Sequence, residues 1–160
     1  MENQYIMSTE DVLSSGVLFD GDEIHWGGEY GQQVCRYTKN GLEEPVTGLL
    51  YEVRNGNIDY YCFYKNGVPN GPNVVFYENG KVKKYSEMVK GVLHGKVIHW
   101  NAYDRVCFAA NYRFGIVISF SEWDDEGVLI NEQLEPTAEN KRRLEQHEAI
   151  EQRMGEKSIF

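Results

Sequence analysis

Clusters of acidic residues are the most conspicuous side chains in the sequence that could catalyse a reaction or bind a ligand. Two carboxylates held close together can act as general acid and base or bind a divalent cation. Each group falls in a predicted turn. There, solvated surface charge is the commonest outcome, protein binding is the next, and catalysis is the least favoured. The residues are Asp20, Asp22, Glu23, Glu43, Glu44, Asp124, Asp125 and Glu126.

Histidine and cysteine residues lack the spacing of a catalytic or metal site. His25 and His99 each precede a tryptophan at equivalent places of a repeated pattern, which favours a structural role. Cys35, Cys62 and Cys107 show no C-x-x-C spacing and fall in predicted strands, so we expect reduced, packed thiols, with a zinc or redox site as the weaker alternative. No phosphate-binding glycine loop or nucleophile motif occurs. The sequence predicts no catalytic residue, metal or cofactor, and a protein that is not an enzyme.

An internal repeat with a step of 24 residues determines where these side chains lie. Aligning Phe76 with Trp100 also aligns Gly91 with Gly115. Each unit has an apolar run that ends in an aromatic residue, a glycine turn, an alternating run and a second glycine turn. The turn glycines Gly41, Gly67, Gly91 and Gly115 mark about four units and a partial fifth. Repeats of this size are typical of stacked arrays whose single units cannot bury their own apolar surface.

Alternation with period 2 assigns the residues of each second run to the two faces of a sheet. The expected core face carries Ile58, Tyr60, Cys62 and Tyr64, then Val82, Lys84, Ser86 and Met88, then Val106, Phe108, Ala110 and Tyr112. The opposite face is mixed and carries a partial aromatic column of Tyr61, Phe63 and Tyr85. Asn55-Gly56, Asn66-Gly67 and Asn79-Gly80 are strong signals for short hairpin turns.

These elements predict a single domain over residues 1–160 with a mainly β fold. Residues 22–132 form an elongated antiparallel meander of successive hairpins, because short turns join sequential neighbours. Residues 1–21 form an N-terminal cap, in which the stretch Ser8-Thr9-Glu10-Asp11 can cap a single helical turn. Residues 17–19 resemble a short strand that enters a turn at residues 20–22. Residues 135–155 form a C-terminal α-helix, with Pro136 near its start and Gly155 past its end. We expect its narrow apolar stripe to dock on an end or edge of the sheet.

The charge of the chain restricts the class of partner. A formal net charge of −9 and a pI near 4.9 repel phosphate backbones and anionic lipids, so we expect a basic protein partner, no nucleic acid and no membrane. The first residues lack the basic and apolar regions of a signal peptide, and no run of residues is long and apolar enough to span a membrane. A cytoplasmic location is expected.

The segment Lys90-Gly91-Val92-Leu93-His94-Gly95-Lys96 resembles the G-x-x-H-G element of MORN repeats. Residues 71–91, GPNVVFYENGKVKKYSEMVKG, resemble the longer bacterial variant found in the YwqK-like antitoxin family. The resemblance extends over roughly residues 22–130 and implies a curved antiparallel sheet of MORN-like hairpins. In bacteria such proteins are often antitoxins or immunity proteins encoded beside polymorphic toxins.

The leading functional hypothesis is an immunity protein or antitoxin that binds a basic bacterial toxin domain and blocks its active site without catalysing a reaction. The alternative is a MORN-type scaffold or peptide-binding repeat protein; phospholipid binding is less favoured because of the negative charge. The candidate partner-binding residues are the eight acidic residues named above together with Tyr61, Phe63, Tyr85 and Trp123.

Overall fold

The computed structural model describes residues 6–157 of the 160-residue chain. This part contains twelve strands and two helices, which confirms the mainly β fold with a C-terminal helix. The helices are α1 (Thr9–Ser15) and α2 (Ala138–Lys157). The strands are β1 (Val17–Leu18), β2 (Ile24–Gly27), β3 (Gln33–Tyr37), β4 (Glu43–Pro45), β5 (Gly48–Arg54), β6 (Asn57–Lys65), β7 (Val68–Phe76), β8 (Val82–Val89), β9 (Val92–Trp100), β10 (Val106–Arg113), β11 (Ile116–Trp123) and β12 (Leu129–Gln133).

Strands β5 to β12 form an antiparallel meander in which each strand pairs with the next. Strand β1 adds to the edge of this large sheet as a parallel partner of β5, with Val17 opposite Leu50. Strands β2, β3 and β4 form a separate small sheet. The meander therefore begins at β5, and residues 24–45, predicted as its first hairpins, form a second sheet that folds back onto it.

Two kinds of turn join the strands of the meander, and they alternate from the β6–β7 turn onward. Two-residue turns at Asn55-Gly56, Asn66-Gly67, Lys90-Gly91 and Phe114-Gly115 have positive φ at both positions, as the favoured hairpin turns require. Five-residue turns at residues 77–81, 101–105 and 124–128 share one hydrogen-bond pattern, in which the first residue donates to the carbonyl of the fifth and accepts from the N–H of the fourth. Asn79-Gly80 therefore belongs to the longer kind.

A β-bulge recurs at one position of each unit. Asp59, Lys83, Cys107 and Ile130 each stand as an extra residue between two paired neighbours. A bulge reverses the faces that the following side chains occupy. Ile58 consequently packs with Tyr61 instead of with Cys62, so the predicted core face is wrong at its first position. The same reversal groups Val82 with Tyr85.

Both faces of the large sheet are covered at strands β5 and β6. On one face, which we call the helix face, Val12 of α1 packs into a core; on the other, the small-sheet face, β2–β4 supply a second core. The helix-face core is Val12, Leu49, Ile58, Tyr61, Val74 and Tyr85. The small-sheet core is Ile24, Val34, Val46, Leu50, Cys62 and Tyr64.

The N-terminal segment covers the helix face as a cap. The Ser8 side chain accepts a hydrogen bond from the N–H of Asp11 at 3.1 Å, which confirms the predicted helix start. The N–H of Met7 donates to the Tyr61 hydroxyl at 3.0 Å and ties this segment to the sheet. The first five residues of the predicted cap lie outside the described residues.

Helix α2 docks across the hairpin turns at one end of the sheet. Asn140 donates to the Val117 carbonyl at 3.1 Å, and Arg113 pairs with Glu148 at 2.7 Å. Leu144 is buried, but Ile150 and Met154 of the predicted apolar stripe are exposed. The helix continues past Gly155 to Lys157, so this glycine does not end it. Within residues 6–157 no helix has the length and apolar character needed to cross a bilayer.

Glycine is required at position 95 by both its backbone and its neighbour. Gly95 has φ +122°, and an added Cβ would meet the carboxylate of Glu87. That carboxylate accepts hydrogen bonds from the Tyr85 hydroxyl and the Lys96 N–H at 3.0 and 2.7 Å. Gly48 has a similar φ of +135° but open space around it, so it is a matched control.

We expect Gly95→Ala to destabilise the fold by about 2 kcal/mol more than Gly48→Ala. Both variants carry backbone strain of about 1–3 kcal/mol, while only the first displaces Glu87 from two hydrogen bonds worth about 1 kcal/mol each. Urea unfolding measures the difference. In a Glu87→Ala background the excess cost of Gly95→Ala should shrink; an unchanged excess would contradict the assignment to Glu87.

Candidate functional site

A row of apolar side chains crosses the helix face of the large sheet at the bulges. Directly opposed residues of neighbouring strands share a face. The opposed pairs are Val53 with Ile58, Phe76 with Val82, Trp100 with Val106, and Trp123 with Leu129. At the repeat position of Ile58 the exposed fraction rises from unit to unit, from 8% at Ile58 to 40% at Val106 and 46% at Leu129, while Val53 opposite Ile58 is itself 46% exposed. This one repeat position is therefore core near α1 and surface near β12.

The exposed end of this row adjoins an acidic turn. We call Trp100, Val106, Trp123, Leu129, Asp124, Asp125 and Glu126 together the terminal surface. Both tryptophans are half-buried, while Asp125 and Glu126 are exposed. Protein-binding surfaces are enriched in aromatic side chains at their centre and have a polar rim. Four of the predicted candidates, Trp123 and the three acidic residues after it, therefore lie together in one place.

The acidic turn is held in shape by its own first residue. Asp124 accepts hydrogen bonds from the N–H groups of Glu126 and Val128 at 3.0 and 2.8 Å. Asp125 accepts from the Asn101 side chain at 3.3 Å, and Arg105 donates to its carbonyl at 3.0 Å. Asp124 is thus committed to the turn, and Asp125 and Glu126 project charge into solvent.

The aromatic candidates of the first units lie in the core. Tyr61 is fully buried and Tyr85 is 3% exposed, and Phe63 is half-buried against the same cluster. The sequence places these residues on a mixed face available to a partner. The structure instead buries Tyr61 and Tyr85 beneath α1 and the residues Ile6 and Met7, so these two side chains are not surface anchors. Phe63 stays half-buried, like Trp100 and Trp123.

The other acidic candidates belong to the small sheet and its entry loop. The Asp20 carboxylate accepts from the N–H groups of Asp22 and Glu23, and the first of these bonds lowers its pKa. Glu44 pairs with Arg36 at 2.7 Å. Asp22 and Glu23 are exposed and line a shallow groove together with Arg36. Because the groove contains both acidic and basic side chains, its net negative charge is small. We call Asp20, Asp22, Glu23, Glu43 and Glu44 the N-terminal acidic cluster.

The strand order separates the two acidic groups. The small sheet packs on β6, while the acidic turn joins β11 to β12. Five strand spacings between β6 and β11 correspond to roughly 24 Å. The eight acidic candidates therefore form two separate patches instead of one.

Chemically active side chains converge at the small sheet, where Glu43 lies close to His25 and Cys35. The Glu43 carboxylate accepts from the Gly28 N–H at 2.7 Å and contacts His25 Nε2 at 3.1 Å; the Gly28 bond is the main cause of its lowered pKa. Burial, and secondly Glu43, raises the pKa of the Cys35 thiol. A protonated thiol is a poor nucleophile, so this arrangement does not favour catalysis.

Several other cysteine, tyrosine and histidine side chains are buried or bonded to neighbouring strands, which indicates a structural role. All three cysteines are free thiols, and burial raises the pKa of Cys62. Burial likewise raises the pKa of Tyr60, whose hydroxyl lies 3.1 Å from that of Tyr64. His94 of the G-x-x-H-G element accepts a hydrogen bond from the Phe114 N–H at 3.2 Å. Among residues 6–157 no three His, Cys, Asp or Glu side chains are grouped as metal ligands.

Comparison with known proteins identifies the family. The chain is 37% identical over 132 residues to Immunity protein YwqK of Bacillus subtilis (strain 168), covering 82% of each chain. It belongs to the YwqK-like family. No protein-family model matches it, and no solved structure matches significantly. The relation of this YwqK-like chain to MORN repeats therefore rests on the sequence motif alone.

Sequence reasoning missed three members of the terminal surface in this YwqK-like protein: Trp100, Val106 and Leu129. The repeat could have indicated them. Phe76, Trp100 and Trp123 occupy one position in successive units, and Val82, Val106 and Leu129 occupy another. Alternation alone did not place them, since it takes no account of the recurring bulge.

Replacement of Tyr85 by alanine should distinguish a core residue from a surface residue. Tyr85→Ala empties a site in the helix-face core and should lower the free energy of unfolding by about 3–5 kcal/mol. Leu129→Ala, at a half-exposed position, should cost about 0.5 kcal/mol. Chemical denaturation of both variants makes the comparison, and similar losses would contradict the assignment of Tyr85 to the core.

His99 should make the fold less stable in mild acid. Burial, and secondly Lys84 opposite it, lowers its pKa below the ordinary value of 6.5. Below about pH 6.5 the unfolded chain binds the proton more readily, so stability is full above this pH and falls as the pH drops through the folded-state pKa. In unfolding experiments between pH 7.5 and 5.5, His99→Gln should flatten this dependence. An unchanged slope would exclude His99 as its source.

Proposed function

We propose that this protein is an immunity protein that binds a bacterial toxin domain and blocks its active site without catalysing a reaction. Its membership of the YwqK-like family supports the immunity role. The terminal surface is the structural observation that carries the proposal, because it combines two half-buried tryptophans with exposed carboxylates. Such a surface can anchor a protein partner by apolar burial and orient it by charge.

The charge of the protein favours a basic toxin domain. The net charge is −9, and enzymes that attack nucleic acids are commonly basic around their substrate groove. Asp125 and Glu126 stand where the approaching partner would meet them first. Opposite charges raise the association rate, while the tryptophans slow dissociation. The same negative charge makes nucleic acid and anionic membranes unfavourable partners.

We place this activity in the cytoplasm. Three free cysteines, two of them buried, suit a reducing compartment. An inhibitor located there would meet its toxin before the toxin reaches a nucleic acid substrate.

Reversing the exposed charges of the acidic turn should slow association with a basic toxin. We expect Asp125→Lys with Glu126→Lys to lower the association rate constant about 10-fold or more at low salt, with little change in dissociation. Asp124 stays unchanged because it caps the turn. Asp22→Lys with Glu23→Lys alters the net charge equally at the N-terminal acidic cluster and is the matched control.

The measurement uses a catalytically inactive form of the toxin domain encoded beside the gene, by stopped-flow mixing at two salt concentrations. Co-expression with the active toxin tests whether the wild-type protein restores growth. Failure of the wild-type protein to bind or protect would overturn the proposed function. Equal slowing by both double variants would mean that net charge, and not the acidic turn, steers the partner.

A further inference from the structure

One repeat position changes from tyrosine to alanine along the helix face. Tyr61, Tyr85 and Ala109 occupy the same place in successive units, at steps of 24 residues. The cross-strand register joins Tyr61 to Val74, Val74 to Tyr85, Tyr85 to Ile98, Ile98 to Ala109, and Ala109 to Ser121. All six side chains therefore share one face.

The loss of bulk at Ala109 and Ser121 opens a groove in the part of this face that no element within residues 6–157 covers. It has a volume of about 360 Å³, and its lining combines apolar Ile98, Ala109 and Leu134 with polar Lys96, Asn111, Ser119 and Ser121. Asn111 donates a hydrogen bond to the Ser119 hydroxyl at 3.2 Å. Leu134 is 70% exposed at its border. Glu132 lies opposite Ser121 and hydrogen-bonds to it at 3.3 Å, which adds a carboxylate to this side of the groove.

Strands β5 to β8, which carry Tyr61 and Tyr85, show what covers the helix face at the other end of the sheet. There α1 places Val12 in the core with Ile58, Tyr61 and Val74, and Leu13 lies near Phe76. The groove continues the same rows of residues onto β9, β10 and β11. This part of the sheet thus repeats the same positions with smaller and more polar residues in its floor.

We propose that the groove receives an amphipathic helix of the toxin domain, seated on β9–β12 as α1 is seated on the helix-face core at the other end of the sheet. The apolar side of this helix would contact Ile98 and Ala109 and meet Trp100 and Trp123 at the row beside the groove. Three strand spacings correspond to roughly 14 Å, the length of about ten helical residues. The proposal rests on the proposed function and adds the element by which the toxin is held.

The carboxylates around the groove favour a helix that belongs to a basic protein. Glu132, Asp125 and Glu126 lie beside the groove and the adjoining row, with Lys96 at the groove as well. Basic residues flanking the apolar side of the helix would pair with these carboxylates. A second copy of this chain, itself at −9, brings like charge to the same place and is disfavoured.

Filling the groove tests the proposal. Ala109→Tyr restores the residue that the two preceding units carry at this position, so the sheet should accommodate it. We expect affinity for the inactive toxin domain to fall about 100-fold or more, as for loss of a central contact region, while circular dichroism and the melting temperature show a folded protein. Ala109→Ser leaves the groove open and should bind within about 3-fold of wild type.

Each result decides between the two proposals. If the wild-type protein forms no complex with the toxin domain, the proposed function fails, and this proposal fails with it. If the wild-type protein binds and Ala109→Tyr binds equally well, the groove proposal fails while the proposed function stands.

A photo-cross-linking amino acid at Leu134 gives a second measurement that does not depend on the fold of Ala109→Tyr. Cross-links to one helical segment of the toxin support the proposal. Cross-links to an extended segment, to a second copy of this chain, or to no toxin residue in a formed complex overturn it.

Discussion

The structure depends on one constraint: the apolar side chains on both faces of its β-sheet must be covered by other elements. A hairpin cannot bury either of its own faces, so each unit needs neighbours in the sheet and a layer above and below. At strands β5 and β6, α1 covers one face and the small sheet covers the other. Towards β12 the apolar row continues into the exposed residues Val106 and Leu129. The same repeated position is therefore core at one end and surface at the other.

The recurring bulge keeps this pattern in register across the sheet. An extra residue at Asp59, Lys83, Cys107 and Ile130 returns the apolar side chains of every unit to the helix face. Without it, strict alternation would direct Ile58 and Val82 to the face opposite Tyr61 and Tyr85. Side chains at one position of the repeat can then change in size, as from Tyr85 to Ala109, without changing the course of the backbone.

Carboxylates that look alike in sequence serve different purposes in the fold. Asp20 and Asp124 each accept backbone hydrogen bonds in their own loops, and Glu43 binds the Gly28 N–H. Glu44 is paired with Arg36. Asp125 and Glu126 project into solvent beside the tryptophans, which is why the proposed function places toxin recognition there.

The sequence by itself determined the hairpins from residue 48 onward, most of their turns and the family. Spacing of glycines and alternation of apolar residues are local properties, and they indicated the meander and the C-terminal helix. The separate small sheet, the burial of Tyr61 and Tyr85, and the separation of two acidic groups were decided only by the tertiary structure. The physical reason is that a two-residue period distinguishes the faces of a strand but not which layer, if any, covers each face. That depends on contacts between residues far apart in the chain, such as Met7 with Tyr61 and Val34 with Gly67.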